Sequence, residues 1–279
     1  MKFDSNRAWR DASAAASANR EVLVAVAGVF FLLPGLASVL FLSDFQADMM
    51  ANFGNPAAAE RIMKGMTGPV VGFGLVSFLL QSIGYLAMLA LLTDRTRPTV
   101  GEAIGAAIKA LPSVIGAALL FFFAYMLAVV VFAMLAGAIS SVTGLGAVAV
   151  LLVILLIGGV FYSMVKLSLV LPVIVIENVQ NPATALARSW QLTKGNSLRL
   201  LAFYLLLGVA YLVIVMVVGM VSMALATLIA GQGKVSMLIG GVVTGVVGAA
   251  ASALFTAILA AIHSQLAGPS AEAIGATFD

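Results

Sequence analysis

The chain of 279 residues has no cysteine, which excludes disulfides, thiolate nucleophiles and cysteine metal sites. Charge is scarce as well: 9% of residues are Asp, Glu, Lys or Arg, against about 25% in soluble domains. There is one histidine, His263, and the eleven acidic residues fall mostly in the termini and loops. Metal-assisted hydrolysis needs clustered carboxylates and histidines, so this content argues against it, and no H-E-x-x-H, G-x-S-x-G or Walker pattern is present. No cofactor or metal is expected, and a net charge of +3 is too small to argue for nucleic acid. What fills the chain is hydrocarbon: 63% of residues are hydrophobic and the mean hydropathy is +1.17. These values predict an integral membrane protein of the all-α class.

A spanning helix needs about 20 mostly apolar residues to cross a hydrocarbon core of about 30 Å. Six segments reach that length: Val22 to Leu42, Val70 to Leu92, Val114 to Ala136, Ala147 to Ile176, Leu198 to Ala230 and Met237 to Ile262. The first has an apolar run of about 21 residues, longer than the roughly 7–15 of a signal peptide, and no small-x-small site follows, so it is expected to stay in the membrane. Lys and Arg in short loops prefer the cytoplasm. Lys2, Arg7, Arg10, Arg20, Arg95, Arg97, Lys109, Arg188, Lys194 and Arg199 fall on one side, and Arg61, Lys64 and Lys234 on the other. That distribution predicts that both termini are cytoplasmic. The loop from Ser43 to Pro69 becomes the one long external segment, and "GAISSVTGLG" and "GQGKVS" become tight external turns.

The segments preceding the odd-numbered spans share a character. Each opens with a capping-type residue, Asp4 or Ser5, Thr99, and Asn181 followed by Pro182, and runs about three helical turns. Each then meets a basic or breaking element: Arg20, Lys109 with Pro112, or Lys194 with Gly195. This predicts three repeats of an interfacial amphipathic helix followed by a transmembrane hairpin. The corresponding division is an N-terminal interfacial helix in 1–20 and a six-helix domain in 21–266 that carries interfacial helices near 99–111 and 182–195. A tail follows in 267–279. Trp9 and Trp190, the only tryptophans, fall in these helices, where an amphipathic ring suits the headgroup layer. Arg188 and Lys194 are candidates for lipid phosphates there.

Ionisable and polar side chains inside the spans are the remaining functional candidates. Lys166 leads them: it either snorkels to the headgroups or pairs with Glu177, or it binds an anionic headgroup or carboxylate. Pro172, between the two, makes helix continuity doubtful. Gln81, Tyr85, Tyr125 and Tyr162 are placed to hydrogen-bond between helices or to line a polar cavity. In the sixth span Gly241, Gly245, Ala249, Ala253 and Ala257 recur every four residues, a ridge that lets a neighbouring backbone approach closely, within the chain or in a homo-oligomer. Met49, Met50, Met63 and Met66 read as an amphipathic surface on the outer leaflet, and His263 as a headgroup-level residue.

The stretch "LSLVLPVIVIENVQNPATALARSWQLTKGNSLRLLAFYLLL" resembles the membrane domain associated with glycerophosphoryl diester phosphodiesterases, and related bacterial inner-membrane proteins. There a basic residue and a proline late in a span lead to a Glu and then to an Arg-Ser-Trp-x-Leu-Thr-x-Gly helix. Lys166, Pro172, Glu177 and Arg188 to Gly195 match that order. "TVGEAIGAAIKALP" is similar to an earlier helix of the same family, so the resemblance is expected over nearly the whole chain. It implies a membrane domain without the separate catalytic domain, and hence no hydrolase activity in this polypeptide. Three classes follow. A non-catalytic protein that binds, senses or handles lipids or amphiphiles, with membrane lipids and a protein as partners, fits best. A transporter or channel for a small amphiphilic or anionic substrate is the alternative. An enzyme would require carboxylates converging near one interface, where only Asp94, Glu102 and Glu177 are available.

Overall fold

In hydrocarbon the backbone has only itself to hydrogen-bond with, and the long apolar runs form helix accordingly. The computed structural model describes residues 2–93, 98–143 and 146–268. Asp94, Arg95, Arg97, the turn expected within "GAISSVTGLG" and most of the 267–279 tail lie outside the described residues. Among those described there are ten α-helices and no strand. They are α1 Ser5–Ala18, α2 Arg20–Ala27, α3 Leu33–Ala51, α4 Pro56–Thr93, α5 Val100–Thr143, α6 Gly146–Leu167, α7 Val170–Ile176, α8 Pro182–Leu192, α9 Ser197–Ala230 and α10 Lys234–Ala267. A π-helical turn, Gly28–Leu32, joins α2 to α3.

Six stretches are long and apolar enough to cross a membrane: Arg20–Ala51, Pro56–Thr93, Val100–Ser141, Val150–Ile176, Ser197–Ala230 and Lys234–Ala267. The expected six-helix membrane class is therefore observed. The most apolar window of the third is 0% buried and that of the fifth 6%, so these faces are not covered by the chain itself. The chain is a multi-pass membrane protein.

Two expectations need correction, and a doubt raised by Pro172 is resolved. The stretch from Ser43 to Pro69, expected as a loop, is mostly helix, with only a short connection between Ala51 and Pro56. Its alanines, methionines, glutamate and lysine are good helix formers, and α3 and α4 extend through them. The separate interfacial helix near 99–111 does not end at Pro112. It runs into the third span as one helix of 44 residues, about 66 Å at 1.5 Å per residue. The start was read correctly: Thr99 and Glu102 cap each other, with Thr99 N–H donating to Glu102 Oε2 at 2.8 Å and Glu102 N–H to Thr99 Oγ1 at 3.3 Å. In the fourth span, the helix stops at Leu167 and resumes at Val170.

The chain forms two compact units, one of Met1–Asp11, Lys109–Leu205 and Ile258–Asp279, the other of Ala12–Ile108 and Leu206–Ala257. In the second unit helices meet where side chains are missing. A Cβ on Gly84 would lie 2.6 Å from Phe30 Cβ, one on Gly241 2.9 Å from Val39, and one on Gly245 2.8 Å from Leu32. Ala249 and Ala257 continue that face of α10 and are buried, and Ala253 is half-buried. Tyr85 meets Phe31 edge-on at 4.7 Å.

In the first unit a Cβ on Gly116 would lie 2.6 Å from Pro182, so α5 and the start of α8 touch closely. Ser113 Oγ donates to the Gln180 carbonyl at 2.6 Å, just ahead of α8. Asn181 caps α8 by accepting from Thr184 N–H at 3.1 Å, with Pro182 at the first helical position. The N-terminus docks on the same unit: Phe3 N–H donates to Asn196 Oδ1 at 2.9 Å, and the Phe3 ring meets Phe203 at 5.5 Å.

Candidate functional site

The break in the fourth span organises the site. Pro172 has no N–H to offer the Ser168 carbonyl four residues back, so the helical ladder is interrupted there. Groups freed nearby are taken up by α8. Ser189 Oγ–H donates to the Lys166 carbonyl at 2.8 Å, and Leu169 N–H donates to Ser189 Oγ at 3.2 Å. Thr193 Oγ1 lies 3.3 Å from the same Lys166 carbonyl. Ser189 and Thr193 are both fully buried. Spaced one helical turn apart, they face the break together. Tyr204 O–H donates to Ser168 Oγ at 3.1 Å and closes it from α9.

The other residues of the "RSWQLTKG" run also find roles. Arg188 Nε–H reaches both oxygens of Glu177, at 2.8 and 3.2 Å. Trp190 carries its ring to α6, where it meets Tyr162 edge-on at 5.9 Å. Leu192 is buried, and Gly195, with φ of +81°, takes the left-handed conformation beyond the end of α8.

Lys166, on the last turn of α6, is 3% exposed. Its Nζ lies 5.2 Å from the centre of the Trp190 ring and 5.6 Å from that of Tyr162, a pair of cation–π contacts. The expected Lys166–Glu177 ion pair is not formed. Glu177 lies beyond α7, past the break, and its oxygens are engaged by Arg188 and by His263, whose Nε2 is 3.0 Å from Oε1. Burial pushes the Glu177 carboxyl up, but the hydrogen bonds from Arg188 and His263 and the guanidinium charge outweigh it and hold the carboxyl below its ordinary value. His263, expected at headgroup level, is buried at 4% exposure against this carboxylate, a partner not expected from the sequence.

Next to Trp190 lies a cavity of about 500 Å³ between α5, α6 and α8. Phe121 and Tyr125 of α5, Leu155, Gly159 and Ser163 of α6, and Leu186 and Trp190 of α8 line it. The wall is mainly apolar, since the Ser163 hydroxyl donates to its own helix at the Gly159 carbonyl, 2.8 Å away. The structure thus gathers Lys166, Tyr162 and Trp190 beside a cavity that Tyr125 also faces, and pairs Arg188 with Glu177 next to His263. Lys194 is exposed and takes no part, while Gln81 and Tyr85 belong to the other unit. Ser189, Thr193 and His263 were missed. The first two carried a signal, hydroxyls four residues apart on a helix whose remaining buried positions, Ala185 and Leu192, are apolar. Among the described residues no group of three or more His, Cys, Asp or Glu could hold a metal ion. Glu102 is occupied in its cap.

Comparison with known families gives a match over part of the chain. Residues 142–274 match the membrane domain of glycerophosphoryl diester phosphodiesterase. The match bears out the resemblance over α6 to α10, including the whole break and its α8 clamp. "TVGEAIGAAIKALP" precedes it, so the match covers that segment and not nearly the whole chain. The match is to the family's membrane domain, not to a catalytic one. No curated protein and no solved structure matches the chain.

Proposed function

We propose that this is a non-catalytic inner-membrane protein, with both termini cytoplasmic, that binds and helps handle a lipid or other amphiphile, alone or as partner of an enzyme or transporter. The observation that carries the reading is the apolar cavity of about 500 Å³ beside Trp190, at the end of α6 where Lys166 and the Arg188–Glu177 pair lie. Pockets for small amphiphiles are mostly apolar with a few polar groups. The basic residues flanking α8 suit the headgroup layer, and the lysine and arginine asymmetry supports the orientation. The cavity's apolar wall favours binding over conduction of a polar solute.

Gly159 offers a direct test, because it lines the cavity and a Cβ added there meets nothing within 4 Å, so a larger side chain starts from open space. Native mass spectrometry of the gently solubilised protein is expected to show a retained amphiphile in the wild type and its loss from Gly159→Phe, at unchanged thermal stability. Equal retention by both proteins would refute the reading.

A further inference from the structure

Lys166 sharpens that reading and the inference rests on it. The residue is 3% exposed, yet among the described residues no carboxylate reaches ion-pairing distance of its Nζ. The nearest in sequence, Glu177, is engaged by Arg188 and His263. Two aromatic rings attract the ammonium, but ring quadrupoles do not replace a counter-charge for a cation taken out of water. Trp190 belongs both to this arrangement and to the cavity wall, so the buried cation and the apolar space meet at one ring. The cavity, of about 500 Å³, has room for a long acyl chain, each methylene having about the bulk of a water molecule, which takes about 30 Å³ in the liquid.

We propose that the cavity takes a single-chain amphiphile with a singly charged anionic head, a long-chain carboxylate. Its chain lies between Phe121, Leu155 and Gly159, and its carboxylate neutralises Lys166 beside Trp190. One ammonium matches one carboxylate; a phosphomonoester, carrying roughly 1.5 to 2 charges, would bring excess charge into an apolar wall.

The test uses full-length Trp9→Phe protein in a non-ionic detergent, which leaves Trp190 as the one tryptophan. Quenching of its fluorescence is titrated with dibromostearate and with the uncharged dibromostearyl alcohol. Saturable quenching is expected from both, with the carboxylate binding about tenfold more tightly, the scale of one hydrogen bond to a charged group. Lys166→Met is expected to abolish that preference and Lys166→Arg to keep it. Equal affinities for the two probes before any change at Lys166, or a preference that survives Lys166→Met, would overturn the head-group assignment while leaving the chain site intact. Absence of saturable quenching by either probe, or quenching insensitive to Gly159→Phe, would overturn the lipid-binding reading as well. Should Lys166→Met not fold, the two probes on the Trp9→Phe protein and the retained preference of Lys166→Arg decide the matter.

Discussion

The unit around Lys166 and the unit around Gly84 are held by opposite means. In the first, a helix is broken and α8 repairs it with hydroxyls: Ser189 and Thr193 reach the carbonyl of Lys166, and Ser189 takes the Leu169 N–H. Arg188, Glu177 and His263 tie three segments with charge-assisted bonds. In the second, helices remain unbroken and touch where a side chain is absent, at Gly84, Gly241 and Gly245. Lipid is as apolar as leucine, so apolar helices gain from contact mainly through close packing, and small residues provide it. A broken span instead requires a polar partner for each freed backbone group. The difference teaches what each device brings with it: polar groups brought in to repair a break are also able to meet a ligand, whereas a glycine contact adds no polar side chain.

The largest expected effect strikes the packed unit. Gly84→Ala places its Cβ 2.6 Å from Phe30 Cβ and 2.7 Å from the Phe31 ring, and Phe30 Cβ moves only with its backbone. A destabilisation of about 1–3 kcal/mol is expected for such overpacking. Gly72→Ala, on the same α4 with nothing within 4 Å, is expected to be neutral or to stabilise by up to about 1 kcal/mol through helix propensity. Thermal unfolding of the two detergent-solubilised variants checks the pair. Equal melting temperatures would break the contrast drawn for the second unit.

The repaired break is expected to respond next. Ser189→Ala leaves the Lys166 carbonyl with only the longer Thr193 contact and Leu169 N–H with no partner. Leaving buried groups unpaired costs about 1–3 kcal/mol, and the loss should be local. Hydrogen exchange at Leu169 is expected to accelerate more than at positions in the middle of α9. Uniform acceleration along the chain would mean that the break is not held by α8.

What could be read from sequence divides along similar lines. Spans are runs of one property, and caps involve neighbours three residues apart, so the six apolar helices and the caps at Asn181 and Thr99 were legible. Pro172 announced a break, and its missing N–H puts the gap four residues upstream, at Ser168. Pro112 misled because the same residue type is tolerated inside a long membrane helix when its neighbours supply partners. Two contacts had no local trace. His263 and Glu177 are separated by 86 positions, and Phe30 meets Gly84 through the tertiary fold alone. The lone histidine looked interfacial from its place at the end of an apolar run, and only the fold shows that it is buried against a carboxylate.

The smallest expected effect concerns charge, because water reaches the pair: the Glu177 and Arg188 side chains are 22% and 39% exposed. Burial raises the Glu177 carboxyl, yet its hydrogen bonds to Arg188 and His263 leave the folded-state value below the ordinary 4.5. The ionised form is thus favoured more in the folded state than in the unfolded chain, and stability from this group is fully present above about pH 4.5. It is lost as pH falls through the lowered value, where the carboxylate takes a proton and releases Arg188. The wild-type melting temperature is therefore expected to fall below pH 4.5 relative to Glu177→Gln, whose amide does not titrate, with the two curves parallel above it. The drop should be smaller than the loss in Ser189→Ala, since solvent screens a half-exposed ion pair and not a fully buried carbonyl. Parallel curves throughout would show that Arg188 and Glu177 lie together without stabilising the fold, and that the hydroxyls of Ser189 and Thr193 alone hold α8 across the break.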